Sequence, residues 1–217
     1  MWFFGNTRAL GIIFLLVALL LLFDGIIMMT ESVDLTDIIP PDTPMRDSTA
    51  FSTVAGAGMI VAALLYIIYA HWVMIGKLTG KINVLSQYVA VVGITTMVII
   101  VSEGIGLYAA GGSYEDMETI ARLGLAFAVI LLLVAYKIGR GKRGYLKMFL
   151  WAVLLIAFVL MAAESLTEAA DYGQYAAHIA HLLLAIFMIL FLIDDEVRRD
   201  MGFKVWRLEG IEEEEIE

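Results

Sequence analysis

Six apolar runs follow one another along the chain, near 9–29, 52–76, 83–109, 119–137, 145–166 and 174–193. An α-helix needs about 20 residues to cross a hydrocarbon core of roughly 30 Å, so the pattern predicts six spanning helices. Backbone N–H and C=O groups find no water at that depth, and a helix satisfies them within itself. The predicted fold is all-α: a polytopic membrane protein with a six-transmembrane-helix bundle at 1–193, then a cytoplasmic tail at 194–217. The first half of that tail reads as an interfacial amphipathic helix, and its end, rich in Glu, as a solvated acidic segment. The first run is longer than a signal-peptide core and lacks a small-residue cleavage site, so it is expected to be retained.

The polar positions within these runs are few, and they gather at one end. Asp171-Tyr-Gly-Gln-Tyr-Ala-Ala-His-Ile-Ala-His181 opens the last run. At helical spacing, Asp171, Gln174, Tyr175, His178 and His181 share a sector of roughly 120°, opposite Ala176, Ala177, Ile179 and Ala180. The run then continues to Ile193 without a polar residue. The first, third and fifth runs each carry one carboxylate a turn or two from the same end: Asp24, Glu103 and Glu164. Glu164, Glu168 and Asp171 form one stripe if the fifth helix continues. Ionisable groups in spanning helices are costly, face the bundle interior and mark ion paths or relays. Asp24, Glu103, Glu164, His178 and His181 at one depth therefore predict a shared pocket, with Glu168, Asp171 and Tyr175 at its rim.

Composition sets the compartment. Hydrophobic residues make up 61% of the chain, against about 45–50% in soluble domains, which predicts a multi-pass protein of the cell membrane, embedded in a lipid bilayer. Cytoplasmic loops are enriched in Lys and Arg. Twelve of the fourteen basic residues fall on one side if the N-terminus is cytoplasmic, leaving Arg46 and Arg122 outside. Both termini are then cytoplasmic, and the outer side holds thirteen of the 23 acids. An acidic outer face concentrates cations, and a net charge of −9 disfavours a nucleic-acid partner. With no Cys, disulfides, iron–sulfur clusters and thiolate metal sites are excluded. The scarcity of side-chain amides (Asn6, Asn83, Gln87, Gln174) is shared with proteins of thermophiles.

Several features have simpler explanations than a site. The Gly139-Arg-Gly-Lys-Arg-Gly144 loop lacks the strand–loop–helix setting of a phosphate cradle, and inner-side basicity accounts for it. Tyr66, Tyr69, His71 and Trp72 read as an aromatic belt at the inner interface. A haem on His71 would need a second axial ligand at that depth, and no histidine supplies one. Glu118 and Arg122 are spaced for an i,i+4 ion pair. Val54-Ala-Gly-Ala-Gly58 is small enough for close helix approach. The acidic 30–49 loop is either a lid over the outer face or a solvated linker. A shift of 61 residues aligns Lys81 with Lys142 and Glu103 with Glu164, a weak echo of the parallel repeats found in transporters.

Two imidazoles and two carboxylates, His178, His181, Glu103 and Glu164, match the nitrogen and oxygen ligand set of Zn²⁺, Fe²⁺ or Mn²⁺. His-x-x-His without a companion Glu-x-x-His is not diagnostic of a di-metal bundle. The same groups relay protons, since His titrates near neutrality and burial raises a carboxylate's pKa. The expected function is therefore transporter-like handling of a cation or protons. A cluster that merely ties helices together would instead fit an accessory subunit of an oligomer or membrane complex. Neither a nucleophile elbow nor His-Glu-x-x-His is present, so a metal-dependent membrane enzyme or a quinone or haem protein comes behind both, with no catalytic residue assigned.

Overall fold

The computed structural model describes residues 7–30, 48–140, 144–168 and 175–203 and, within these, all side chains but those of residues 7–10, 48, 168 and 175–177. Every regular element among them is helical: α1 (Thr7–Thr30), α2 (Ser48–Met74), α3 (Lys81–Ala109), α4 (Tyr114–Arg140), α5 (Tyr145–Glu168), α6 (Tyr175–Leu192) and α7 (Asp195–Met201). The first five are long and apolar enough to cross a membrane. The sixth apolar run ends at Leu192 and turns by 69° into α7. The acidic 30–49 loop, save its ends, Lys142 of the internal echo and the acidic tail lie outside the described residues.

Helix ends reach beyond the apolar runs where polar residues stabilise them. The fourth helix starts five residues before its apolar run because Ser113 accepts the Asp116 N–H at 3.1 Å, satisfying one of the donors that a helix N-terminus leaves open. Glu115 and Asp116 in the first turn, with Lys137 and Arg140 in the last, both complement the helix dipole. Glu118 and Arg122 form the expected exposed i,i+4 ion pair.

Glycine sets how closely the helices approach. Gly25 of α1 packs on the backbone of Gly56 in α2, and Gly11 on Ala70 and Met74, so α1 and α2 are antiparallel. Gly58 of α2 faces Ser102 of α3, and Gly104 and Gly124 seat the α3–α4 pair against Ile120 and Ile100. The Val54–Gly58 segment thus provides the close approach its small residues allow. Around the bundle the neighbours run α5, α6, α1, α2, α3, α4.

These pairings fix the depth of each residue. Gly25 against Gly56 sets Asp24 level with Ala57, and Gly58 against Ser102 sets Ala57 level with Glu103. Asp24 interacts with His178, and His181 with Glu164, which brings α6 and α5 to the same height. Ten residues back along α1 from Asp24, roughly 15 Å deeper, lies an aromatic core. There Phe14 packs against Tyr69, Tyr88 and Phe187, with ring centroids 5.0, 5.4 and 6.3 Å away.

The aromatic belt expected at the end of α2 is divided. His71 and Trp72 are exposed, and Lys77 sits 4.5 Å over the Trp72 ring, as an interfacial anchor would. Tyr66 and Tyr69 are instead buried at 5% and 1% exposure. Their positions share the helix face of Ala62, Ala63, Ala70 and Val73, all buried, and the small side chains leave room for two rings.

At the opposite end from Asp24, the turn between α6 and α7 is pinned by three helices. Asp194 caps α7 by accepting the Glu196 N–H at 3.0 Å and receives Lys81 Nζ of α3 on both carboxylate oxygens, at 2.9 and 2.8 Å. Trp151 Nε1 of α5 donates to the Leu192 carbonyl at 2.7 Å, and Gly202 closes α7 at φ 106°. Burial works against the charged form of Asp194, but the Lys81 hydrogen bonds and charge, with the Glu196 and Val197 N–H groups, outweigh it and hold the carboxyl below its ordinary range. A depressed carboxylate contributes stability that is complete above its unfolded-state pKa and is lost as pH falls through the folded value. Asp194→Ala should therefore cost about 1 kcal/mol for the cap alone at neutral pH. In melting curves, the gap from wild type should close as the pH is taken down through the Asp range.

Candidate functional site

Asp24 is where the sequence-predicted pocket becomes concrete. It lies in α1 between Leu21, which faces the core, and Gly25, which faces α2, and is turned toward α6. Its exposure is 4%, and its Oδ2 has no hydrogen-bond partner among the described residues. A buried polar atom without a partner costs about 1–3 kcal/mol, and more when charged, so a fold keeps one only where something offsets it. The ionisable group whose electrostatic influence reaches Asp24 is His178. His178 in turn faces His181, one turn deeper on α6, and His181 faces Glu164 of α5.

The result is a line of four ionisable groups, Asp24, His178, His181 and Glu164, crossing from α1 over α6 to α5. Its two ends differ in environment. Asp24 is enclosed, whereas Glu164 is exposed, so the line runs from the bundle interior to its surface. Helical spacing explains the middle: His178 and His181, three apart, are neighbours on α6. Ala185, two turns from His178 on the same face, is buried, and α6 packs against α1 and α5.

Glu103 stands apart from this line. It has the depth of Asp24 and lies about 60° around α3 from Tyr88, on the side facing the bundle interior. It is half-buried and has no hydrogen bond or ion pair among the described residues. The structure thus groups His178 and His181 with Glu164 and Asp24, and Glu103 with none of them. No three His, Asp or Glu side chains among the described residues come together as a ligand set for a metal ion. Asp171 lies outside the described residues, as do the side chains of Glu168 and Tyr175.

The sequence places Asp24 in the shared pocket but outside the metal-ligand set of His178, His181, Glu103 and Glu164. Its burial follows from Gly25, which draws α1 onto α2 at that level and closes the route to the surface. The adjacent Asp-Gly pair is the signal that carried this. A second group, the buried hydroxyls of Tyr66, Tyr69 and Tyr88, has no signature in the sequence beyond the small-residue face of α2.

No protein-family model, curated protein or solved structure matches the chain.

Proposed function

We propose that the chain is a six-span membrane protein with both termini cytoplasmic, in which the Asp24–His178–His181–Glu164 line takes up protons, or a cation in their place, from the outer side for passage into the bundle. The observation that carries this reading is the enclosed Asp24, whose Oδ2 has no hydrogen-bond partner among the described residues and which lies within electrostatic reach of His178. A cluster selected only to hold helices together would satisfy both of its carboxylate oxygens. Imidazoles between a buried and an exposed carboxylate can each bind a proton on one ring nitrogen and release one from the other, passing it along.

The sixth span is α6, whose 69° turn into α7 follows the last apolar residues and brings Arg198 and Arg199 to the side of Lys81. That placement matches the inner-side enrichment of basic residues. For Zn²⁺, Fe²⁺ or Mn²⁺ the set His178, His181, Glu164 and Glu103 is less well prepared, since Glu103 does not meet the other three.

Liposomes carrying the purified protein and an internal pH dye test the reading. Acid on the side of the Ser113 turn should acidify the lumen. His178→Ala and Glu164→Gln each remove a charge-assisted partner worth about 1.5–3 kcal/mol, or at least about tenfold in rate. A wild-type protein that admits neither protons nor mono- or divalent cations would leave the accessory-subunit reading in its place.

A further inference from the structure

Deeper in the bundle is a second polar group that the outer line does not use. Tyr66 of α2 and Tyr88 of α3 are buried at 5% and 1% exposure, and Thr95, also on α3, at 1%. The Tyr66 hydroxyl sits beside both Thr95 and Tyr88. Thr95 Oγ1 already donates to its own helix, at 2.9 Å from the Val91 carbonyl, and Tyr69 donates to the Val84 carbonyl at 2.9 Å. Tyr88 differs: with Tyr66 beside it, its hydroxyl completes no hydrogen bond among the described residues, although its ring is held by Phe14, Tyr69 and Phe158 at 5.4, 6.1 and 6.1 Å.

An unpartnered hydroxyl in so enclosed a place calls for a partner that side chains do not provide. A buried water makes about three hydrogen bonds to such groups. The Tyr66 hydroxyl stands between those of Tyr88 and Thr95, two turns apart on α3, each of the three able to accept and the tyrosines able to donate. The aromatic rings below exclude a large ligand. By helix rise, Tyr66 and Thr95 lie roughly 13 Å inward of the level of Asp24, with Tyr88 deeper still. Tyr66 leans outward, because side chains on a helix point toward its N-terminus and the N-terminus of α2 is at the Asp24 end.

We propose that Tyr66, Tyr88 and Thr95 bind water in the bundle interior and form the inner leg of the path that begins at Asp24. A proton released by Asp24 passes to water, and each tyrosine hydroxyl accepts one proton from water on the outer side as it gives up its own to water on the inner side, while Thr95, whose proton is held by the Val91 carbonyl, only accepts a hydrogen bond from that water, so no group changes its net charge. This inference rests on the proton reading of the outer line, and two measurements separate them.

The first is X-ray hydroxyl-radical footprinting of the detergent-solubilised protein, in which radicals form from bound water and label the side chains beside it. Tyr66 and Tyr88 should be labelled well above Tyr69, which is equally buried but bonded to a backbone carbonyl. Labelling of all three at the same low rate would overturn the water site whatever the outer residues do. The second is proton flux in liposomes for Tyr88→Phe, Tyr66→Phe and Thr95→Val, which remove hydroxyls while nearly conserving volume. The triple variant should lose at least about tenfold in rate and keep its melting temperature within a few degrees of wild type. Full flux in the triple variant would overturn the inner leg while sparing the outer line. Wild type with labelled tyrosines but no flux would overturn the relay together with the outer reading. If the triple variant fails to fold, Tyr88→Phe alone, losing a hydroxyl that bonds no other residue, decides the point.

Discussion

Asp24→Leu should unfold at a higher temperature than wild type while taking up no protons. Both effects come from the same atom. The Asp24 carboxylate is enclosed, its Oδ2 has no hydrogen-bond partner among the described residues, and an imidazole on another helix, His178, is within its electrostatic reach. Leucine has similar bulk and no polar atom to desolvate, so it should recover about 1–3 kcal/mol, the cost of a buried unsatisfied group. Replacing buried charged groups by packed apolar ones often stabilises a protein, and sites built for function give up stability for it. Asp24→Asn should lose uptake equally, since an amide neither releases nor binds a proton, but should recover little stability because it stays polar and buried. Scanning calorimetry in detergent with the liposome flux assay gives both readings. An Asp24→Leu protein that melts earlier, with uptake intact, would show that the carboxylate holds α1 to α6 and would favour a structural role for the line.

Much of the architecture was legible in the sequence, because spanning length and apolar runs are nearly the same information. All six runs became helices, and the Glu118–Arg122 pair and the tight Val54–Gly58 approach followed from local rules, whereas the Ser113 cap that starts α4 five residues early was not read. What was not legible depends on rotation of one helix against another. Glu103 and Asp24 look equivalent in sequence, each a single acid near the same end of a run. Asp24 meets His178 because α1 lies beside α6, whereas α3 is placed between α2 and α4, away from the histidines. The same holds for Tyr66 and His71 in α2, five residues apart. Tyr66 turns to the centre with Ala62, Ala63 and Ala70, and His71 turns away with Trp72. The 69° bend after Leu192 was also hidden, since it depends on Lys81, 113 residues earlier, reaching Asp194.

The largest structural effect is expected at Gly56. In most helix interiors Gly→Ala stabilises by about 0.5–1 kcal/mol, because alanine loses less backbone freedom on folding. At Gly56 the sign should reverse. An added Cβ would stand 2.7 Å from the Gly25 carbonyl oxygen and 2.5 Å from Met29 Cγ. The methionine can move aside, but the carbonyl belongs to the α1 backbone, so the helices themselves must part. Overpacking of that kind costs about 1–3 kcal/mol, and Gly56→Val should cost more than Gly56→Ala. Ala57, exposed on the next position, should accept valine with little change.

Second-site substitutions identify the obstacle. Met29→Ala should not rescue Gly56→Ala, because the backbone contact remains. At Gly58, by contrast, the added Cβ would overlap the Ser102 side chain, with the nearest α3 backbone atom 3.5 Å away, so Ser102→Gly should restore most of the stability lost in Gly58→Ala. Neighbouring residues in contact show such non-additivity, whereas distant ones do not. The Gly56 effect also reaches the site, because Gly25 adjoins Asp24. Parting α1 from α2 there moves the carboxylate relative to His178, so Gly56→Ala should slow proton uptake more than Gly58→Ala at equal loss of melting temperature. Equal slowing in the two variants would mean that uptake follows global stability and does not depend on the placement of Asp24.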